Sequence, residues 1–172
     1  HFLPTPERLA SYRVKDGVPE LLEDGDEPVP DTVIFGIRSC DVAGLAYLER
    51  FLSGEIFERP DTADRPFFRR RAAATLISVV CSEPGETCMC VCCQGGPALT
   101  KGYDWQLTEL AEGWLVEIGG ARGERLAARC APARVDAPAD ALAQKAARVR
   151  DAVRRLTETS AHRVRTMVAG RM

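Results

Sequence analysis

Histidine is almost missing from this chain. Its 172 residues include only His1 and His162, one at each end and each in a weakly patterned, polar context. Both read as surface residues, so no imidazole-centred metal site and no Ser–His or Cys–His nucleophile is legible. Long apolar runs are absent too, which argues against a membrane-spanning helix, and no secretory leader is visible. The net charge is only −2, so nothing points to nucleic acid or an anionic membrane as partner. There is no internal repeat, and the opening at His1, in a polar, proline-containing segment, is that expected of a trimmed or partly covered protein.

Cysteine is what the sequence does have. Five of its seven cysteines fall in CSEPGETCMCVCC, residues 81–93: Cys81, Cys88, Cys90, Cys92 and Cys93. An odd total cannot pair completely. A secreted disulfide scaffold is smaller and spreads its cysteines. Cys88, Cys90 and Cys92 alternate too closely for good mutual disulfide geometry. Thiolates in a reducing compartment, used as ligands or redox groups, are the remaining reading, and a cytoplasmic location follows.

The apolar pattern predicts an α/β fold. TVIFGI, 32–37, and ATLISVV, 74–80, are short β-branched runs of buried-strand type. Between them Asp41 is expected to cap a helix with Val42, Leu45, Leu48, Phe51 and Leu52 on its apolar stripe. Strand, helix and strand in that order predict a right-handed crossover and parallel pairing. ERLASY suggests a short helix, residues 67–71 another, and GWLVEIG, 113–119, a third strand. From Asp136 the chain is rich in Ala and Arg. Leu142, Ala146, Val149, Val153 and Leu156 recur at helical spacing, which predicts one long C-terminal helix with a solvated Arg-rich face. The expected architecture is a small, mainly parallel sheet with flanking helices and a cysteine-rich loop at its carboxyl edge.

That topology brings sulfur together. Cys40 follows the first strand and Cys81 the second, so parallel neighbours place both at the carboxyl edge, where open α/β sheets bind ligands. The loop from Ser82 to Thr87 returns Cys88 and Cys90 to the same edge. Cys40 also stands at a helix start, which favours negative charge. Four converging thiolates indicate a tetrahedral metal or an iron–sulfur cluster. Structural zinc prefers C-x2-C to C-x4-C pairs, which the chain lacks apart from a less natural choice such as Cys88 with Cys92. The ferredoxin spacing C-x2-C-x2-C is missing as well. Spacing leaves the metal open.

Four ordered stretches sharpen the choice. FGIRSCDVAGLAYLERFL, RRAAATLISVVCSEPGETCMC, KGYDWQLTEL and GWLVEIGGARGERL resemble, in sequence order, segments of an iron–sulfur electron-transfer family. That family includes the β subunit of NAD(P)-linked sulfhydrogenases and the iron–sulfur subunit of anaerobic sulfite reductase. The likeness runs from about residue 1 to 126. It implies a [4Fe-4S] cluster, with the recurring cysteines falling on Cys40, Cys81, Cys88 and Cys90. It also implies an accessory subunit of a hetero-oligomeric oxidoreductase, relaying electrons from a ferredoxin or a flavin/NAD(P)H-binding reductase subunit to a catalytic redox subunit. The domain so marked is 1–130, with 131–172 as a helical tail. Family members carry more chain before the PTPE-like segment and a twin-cluster ferredoxin domain afterwards. The chain is then expected to be a fragment, or those clusters sit on another subunit. Cys92 and Cys93 stand where the family has small or apolar residues, as spare ligands or packing.

Other readings stay beside this one. Isolated cysteines are often buried simply as small hydrophobes, but five in one loop are not. A structural zinc module for assembly and a dithiol enzyme using Cys92 and Cys93 are the alternatives to electron transfer. Arg38 is either a surface charge or, beside an anionic cluster, a residue that raises its potential by favouring the reduced state. Cys130 reads as structural, Asp41 as a cap rather than a proton donor, and Asp104, Trp105 and Thr108 as turn and core residues. Gly95, Gly96 and Pro97 read as a turn, since two glycines are weak evidence for a phosphate loop.

Overall fold

The computed structural model describes residues 2–3, 11–22 and 28–169, with side chains as far as Thr159. In chain order the elements are β1 (Ser11–Lys15), β2 (Val18–Leu22), β3 (Thr32–Arg38), α1 (Ser39–Leu52), α2 (Arg65–Ala73), β4 (Ala74–Val79), β5 (Trp105–Glu109), β6 (Trp114–Ile118), α3 (Gly120–Arg129) and α4 (Ala141–Ala169). His1 and the side chain of His162 lie outside the described residues.

A four-stranded mixed sheet runs in the order β3-β4-β5-β6. β3 pairs with β4, and β4 with β5, in parallel, while β5 and β6 form an antiparallel pair. The two expected strands are therefore parallel neighbours. One face of the sheet carries the main core. There Val42 and Leu45 of α1 meet Leu76, Ala74 and Phe67, with Ile34, Ile37, Leu48 and Leu99 packed around them. A strand buried on both faces needs a nearly continuous apolar run, which explains the composition of ATLISVV.

A bulge in β3 sets the aim of the site. The pairing with β4 steps from Phe35↔Ile77 to Ile37↔Ser78, leaving Gly36 as the extra residue. Gly36 has φ +80°, a region that L side chains seldom enter. The extra residue switches the strand's alternation, so Ile34 and Ile37 both reach the core. Ser39 then turns inward and is buried.

Several local expectations change. The helix after β3 starts at Ser39 with Arg38 as its N-cap, so Asp41 sits in the first turn and is not the cap. Its carboxylate still lies where the helix dipole favours it. α2 spans Arg65–Ala73, longer than the expected 67–71, because Asp64 caps it by accepting from the Phe67 N–H at 2.8 Å. Of ERLASY, Ser11 and Tyr12 begin a strand and not a helix, and the residues before them lie outside the described ones. β1 and β2 are joined by Asp16 and Gly17, both at positive φ, the turn that matches strand twist. Trp105 and Thr108, read as turn and core residues, lie in β5. There Asp104 completes the ladder with β4, its N–H donating to the Leu76 carbonyl and its carboxylate accepting from the Leu76 N–H.

The C-terminal helix is present, and Leu156 of its expected stripe is buried, but Leu142 and Val153 of that stripe face solvent, and Ala141 and Ala152 are buried instead. Two alanines let the helix approach closely, and Lys145 between them turns inward to pair with Glu117 of β6 at 2.6 Å. Hydrophobic size is a poor guide where close approach and an ion pair decide the face.

Gly36→Ala is expected to destabilise the chain by about 1–2 kcal/mol, the cost of holding an L residue at left-handed φ. A shift in the urea midpoint measures it. An unchanged midpoint would show that the bulge relaxes without cost.

Candidate functional site: a four-cysteine edge

Cys40 is the second residue of α1, and Cys81 lies two residues past the end of β4. Because Arg38 and Val79 are register partners in the parallel pair, both cysteines emerge at one carboxyl edge. The loop beyond Cys81 is built from short turns. The Cys88 N–H donates to the Gly85 carbonyl at 3.1 Å, and the Gly95 N–H to the Cys90 carbonyl at 2.9 Å. At Gly95 the loop comes back against the first turn of α1. A Cβ there would already touch the Cys40 Cα at 3.4 Å and the Ala43 Cβ at 3.5 Å.

One carbonyl ties these pieces together. Pro97 O accepts from the buried Ser39 Oγ at 2.8 Å and from the Cys81 N–H at 2.9 Å. The residue before Cys40 and the backbone of Cys81 are thus fixed to the same atom. Neither Ser39 nor Pro97 was legible as part of a site. Their only sequence signals are a serine between a strand and a cysteine, and a proline ending a Gly-Gly turn.

Of the four sequence-predicted cysteines, the other three act electrostatically on Cys90, and Cys88 acts on Cys40. Partial burial raises the Cys90 thiol pKa first, and the negative charge of Cys40, Cys88 and Cys81 raises it further. Partial burial and then the Asp41 carboxylate raise that of Cys40. The N–H groups of Asp41 and Cys40 oppose the rise, and Cys88 adds to it. Cys92 and Cys93 are not among the charges acting on either thiol. Both are exposed, and their N–H groups share the Met89 carbonyl at 2.9 and 3.3 Å. Cys130 is half-buried at the end of α3, far along the chain from this loop. Arg38 is exposed at the end of β3.

Among the described residues, the charges that act on Cys40 and Cys90 include no cation, and several thiolates at one edge repel one another. A bound cationic group resolves that repulsion, and thiolates are the ligands that soft metals and iron–sulfur clusters select. Among the described residues, no three His, Cys, Asp or Glu side chains stand close enough about one point to hold a single metal ion.

Two outcomes test this geometry. Ser39→Ala removes the donor to Pro97 O and is expected to cost about 1–2 kcal/mol, measured by urea unfolding, as for a buried hydrogen bond. In the metal-free chain, the pH–rate profile for alkylation of Cys90 is expected to have its midpoint above that of free cysteine. A raised pKa leaves less thiolate at a given pH and shifts reaction to higher pH. A midpoint at or below the free value would show that the other thiols do not act on Cys90.

No family profile matches this chain, and no solved structure does. A curated relative does. Over 118 residues, 67% of its length, the chain is 37% identical to the sulfhydrogenase 2 subunit beta of Pyrococcus furiosus, and it spans 31% of that subunit's length.

Proposed function

We propose that this chain is an electron-relay module of a hydrogenase-type oxidoreductase, holding a [4Fe-4S] cluster on Cys40, Cys81, Cys88 and Cys90. The observation that carries the reading is the convergence of these cysteines, from the start of α1, the exit of β4 and the following loop, at one sheet edge. The likeness to a sulfhydrogenase subunit supports the same reading. When bound, such a cluster takes up and returns one electron at a time.

The likeness to a sulfhydrogenase subunit and the lack of natural C-x2-C to C-x4-C pairs among Cys40, Cys81, Cys88 and Cys90 favour a cluster over zinc. The chain's own groups have distinct parts in this reading. The first turn of α1 offers N–H groups and a favourable dipole to the anionic centre at Cys40. Arg38, two residues away, favours the reduced, more negative state. Cys92 and Cys93, both exposed, lie outside the ligand set. Residues 1–130 form the cluster-bearing domain and 131–172 a helical tail. The partners are a flavin/NAD(P)H-binding reductase subunit, which carries the flavin, or a ferredoxin, and a catalytic redox subunit in a cytoplasmic hetero-oligomer. No helix among the described residues is long and apolar enough to cross a membrane.

Anaerobic purification with iron, acid-labile sulfide and zinc analysis tests the proposal. About four iron and four sulfide per chain are expected, with a brown absorption that dithionite bleaches. Cys40→Ser is expected to lower the iron content or alter the spectrum, and Cys92→Ser to leave both unchanged. One zinc per chain without colour would replace electron relay with a structural assembly module.

A further inference from the structure

Gln106, the second residue of β5, is fully buried. Its Oε1 accepts from the Leu99 N–H at 2.7 Å, and its Nε2 donates to the Leu99 carbonyl at 3.0 Å. One side chain thus holds both backbone groups of Leu99, as a neighbouring strand would. Leu99 belongs to no strand and follows Pro97 by two residues, so the segment that returns from the cysteine loop is held at both ends. Pro97 grips Ser39 and Cys81, and Leu99 is gripped by Gln106.

The second Nε2 hydrogen of Gln106 goes to Glu117 Oε2 at 3.0 Å. Glu117 in turn receives Lys145 of α4 at 2.6 and 2.7 Å, and both partners of that pair are largely buried. The series α4, β6, β5, return segment and cysteine edge is matched donor to acceptor at each join. A buried amide is costly when unsatisfied, and an apolar residue would fill the same volume at less risk. Burial alone therefore does not call for glutamine at position 106. What the amide adds is a fixed position for a segment that otherwise has no ladder.

We propose that Gln106, braced by the Glu117–Lys145 pair, is a positioning residue for the cysteine site, and that α4 is thereby mechanically joined to that site. The inference rests on the reading of Cys40, Cys81, Cys88 and Cys90 as ligands. A partner that grips or shifts α4 would act on the cluster edge through these bonds.

The test compares Gln106→Met, similar in volume but without hydrogen bonds, with Leu156→Ala, which thins a buried contact of α4 outside the network. Two rates are read in the full chain: alkylation of Cys81 in the metal-free protein at fixed pH, by mass spectrometry, and iron release to a chelator from the loaded protein. Gln106→Met is expected to raise both about tenfold, the scale set by losing one or two buried hydrogen bonds. Leu156→Ala should lower the melting temperature and leave both rates within about twofold of wild type, since distant sites add independently. Equal rates in the two variants overturn the proposal. If Gln106→Met does not fold, Lys145→Met decides in the same way, with about a threefold rise expected from loss of the brace alone. A wild-type chain without iron sinks the cluster reading, and the Cys81 alkylation rates then decide the positioning role by themselves.

Discussion

The Pro97 carbonyl accepts two hydrogen bonds, from Ser39 Oγ at 2.8 Å and from the Cys81 N–H at 2.9 Å, and the cysteine edge depends on that shared atom. Parallel pairing of β3 and β4 brings the two strand ends level, but level ends alone do not fix a loop. The loop after Cys81 contains no strand or helix. It keeps its shape by returning to the sheet at Pro97 and by pressing Gly95 against the first turn of α1. The bulge at Gly36 belongs to the same constraint. Without its change of alternation, Ser39 would point away from the core and the shared carbonyl would lose one of its donors.

Electrostatics and packing pull in opposite directions at this edge. Packing draws Cys40, Cys81, Cys88 and Cys90 together, while partial burial and mutual repulsion raise the cost of ionising Cys40 and Cys90. Left to themselves, Cys40 and Cys90 favour the protonated thiol. A cationic inorganic centre, as proposed, would reverse that balance, because each thiolate would gain a bond in place of a repulsion. The N-terminus of α1 contributes in the same direction, and the Asp41 carboxylate opposes it. In the proposed cluster reading, affinity would be set by the ligating thiols and the centre's properties by the few charges that the fold leaves beside them.

Much of the fold was written in local patterns. The β-branched runs at 32–37 and 74–80, with an amphipathic helix between them, specify a parallel crossover, since other arrangements leave one apolar face uncovered. WLVEI and the Ala- and Arg-rich tail were legible for the same reason. The hairpin of β1 and β2 was not, although SYRVK alternates polar and apolar residues and Asp16 with Gly17 marks a hairpin turn, because both strands lie almost wholly exposed and carry no buried stripe. β5 was hidden because Gln106 and Thr108 break the apolar pattern while being fully buried. Polar residues reach a core only when partners satisfy them, and those partners are distant in sequence.

The sequence by itself determined that five cysteines crowd residues 81–93, that a strand end precedes both Cys40 and Cys81, and that histidine occurs only at positions 1 and 162. Composition and spacing are local properties, so they survive without knowledge of the fold. Only the tertiary structure decided which thiols act on one another, that Asp41 is a first-turn residue and not a cap, and which face of α4 is buried. It alone joined Ser39 to Pro97 across 58 residues and Lys145 to Glu117 across 28. Such contacts arise from register, bulges and close approach, where the identity of one residue gains meaning only from what the chain places opposite it.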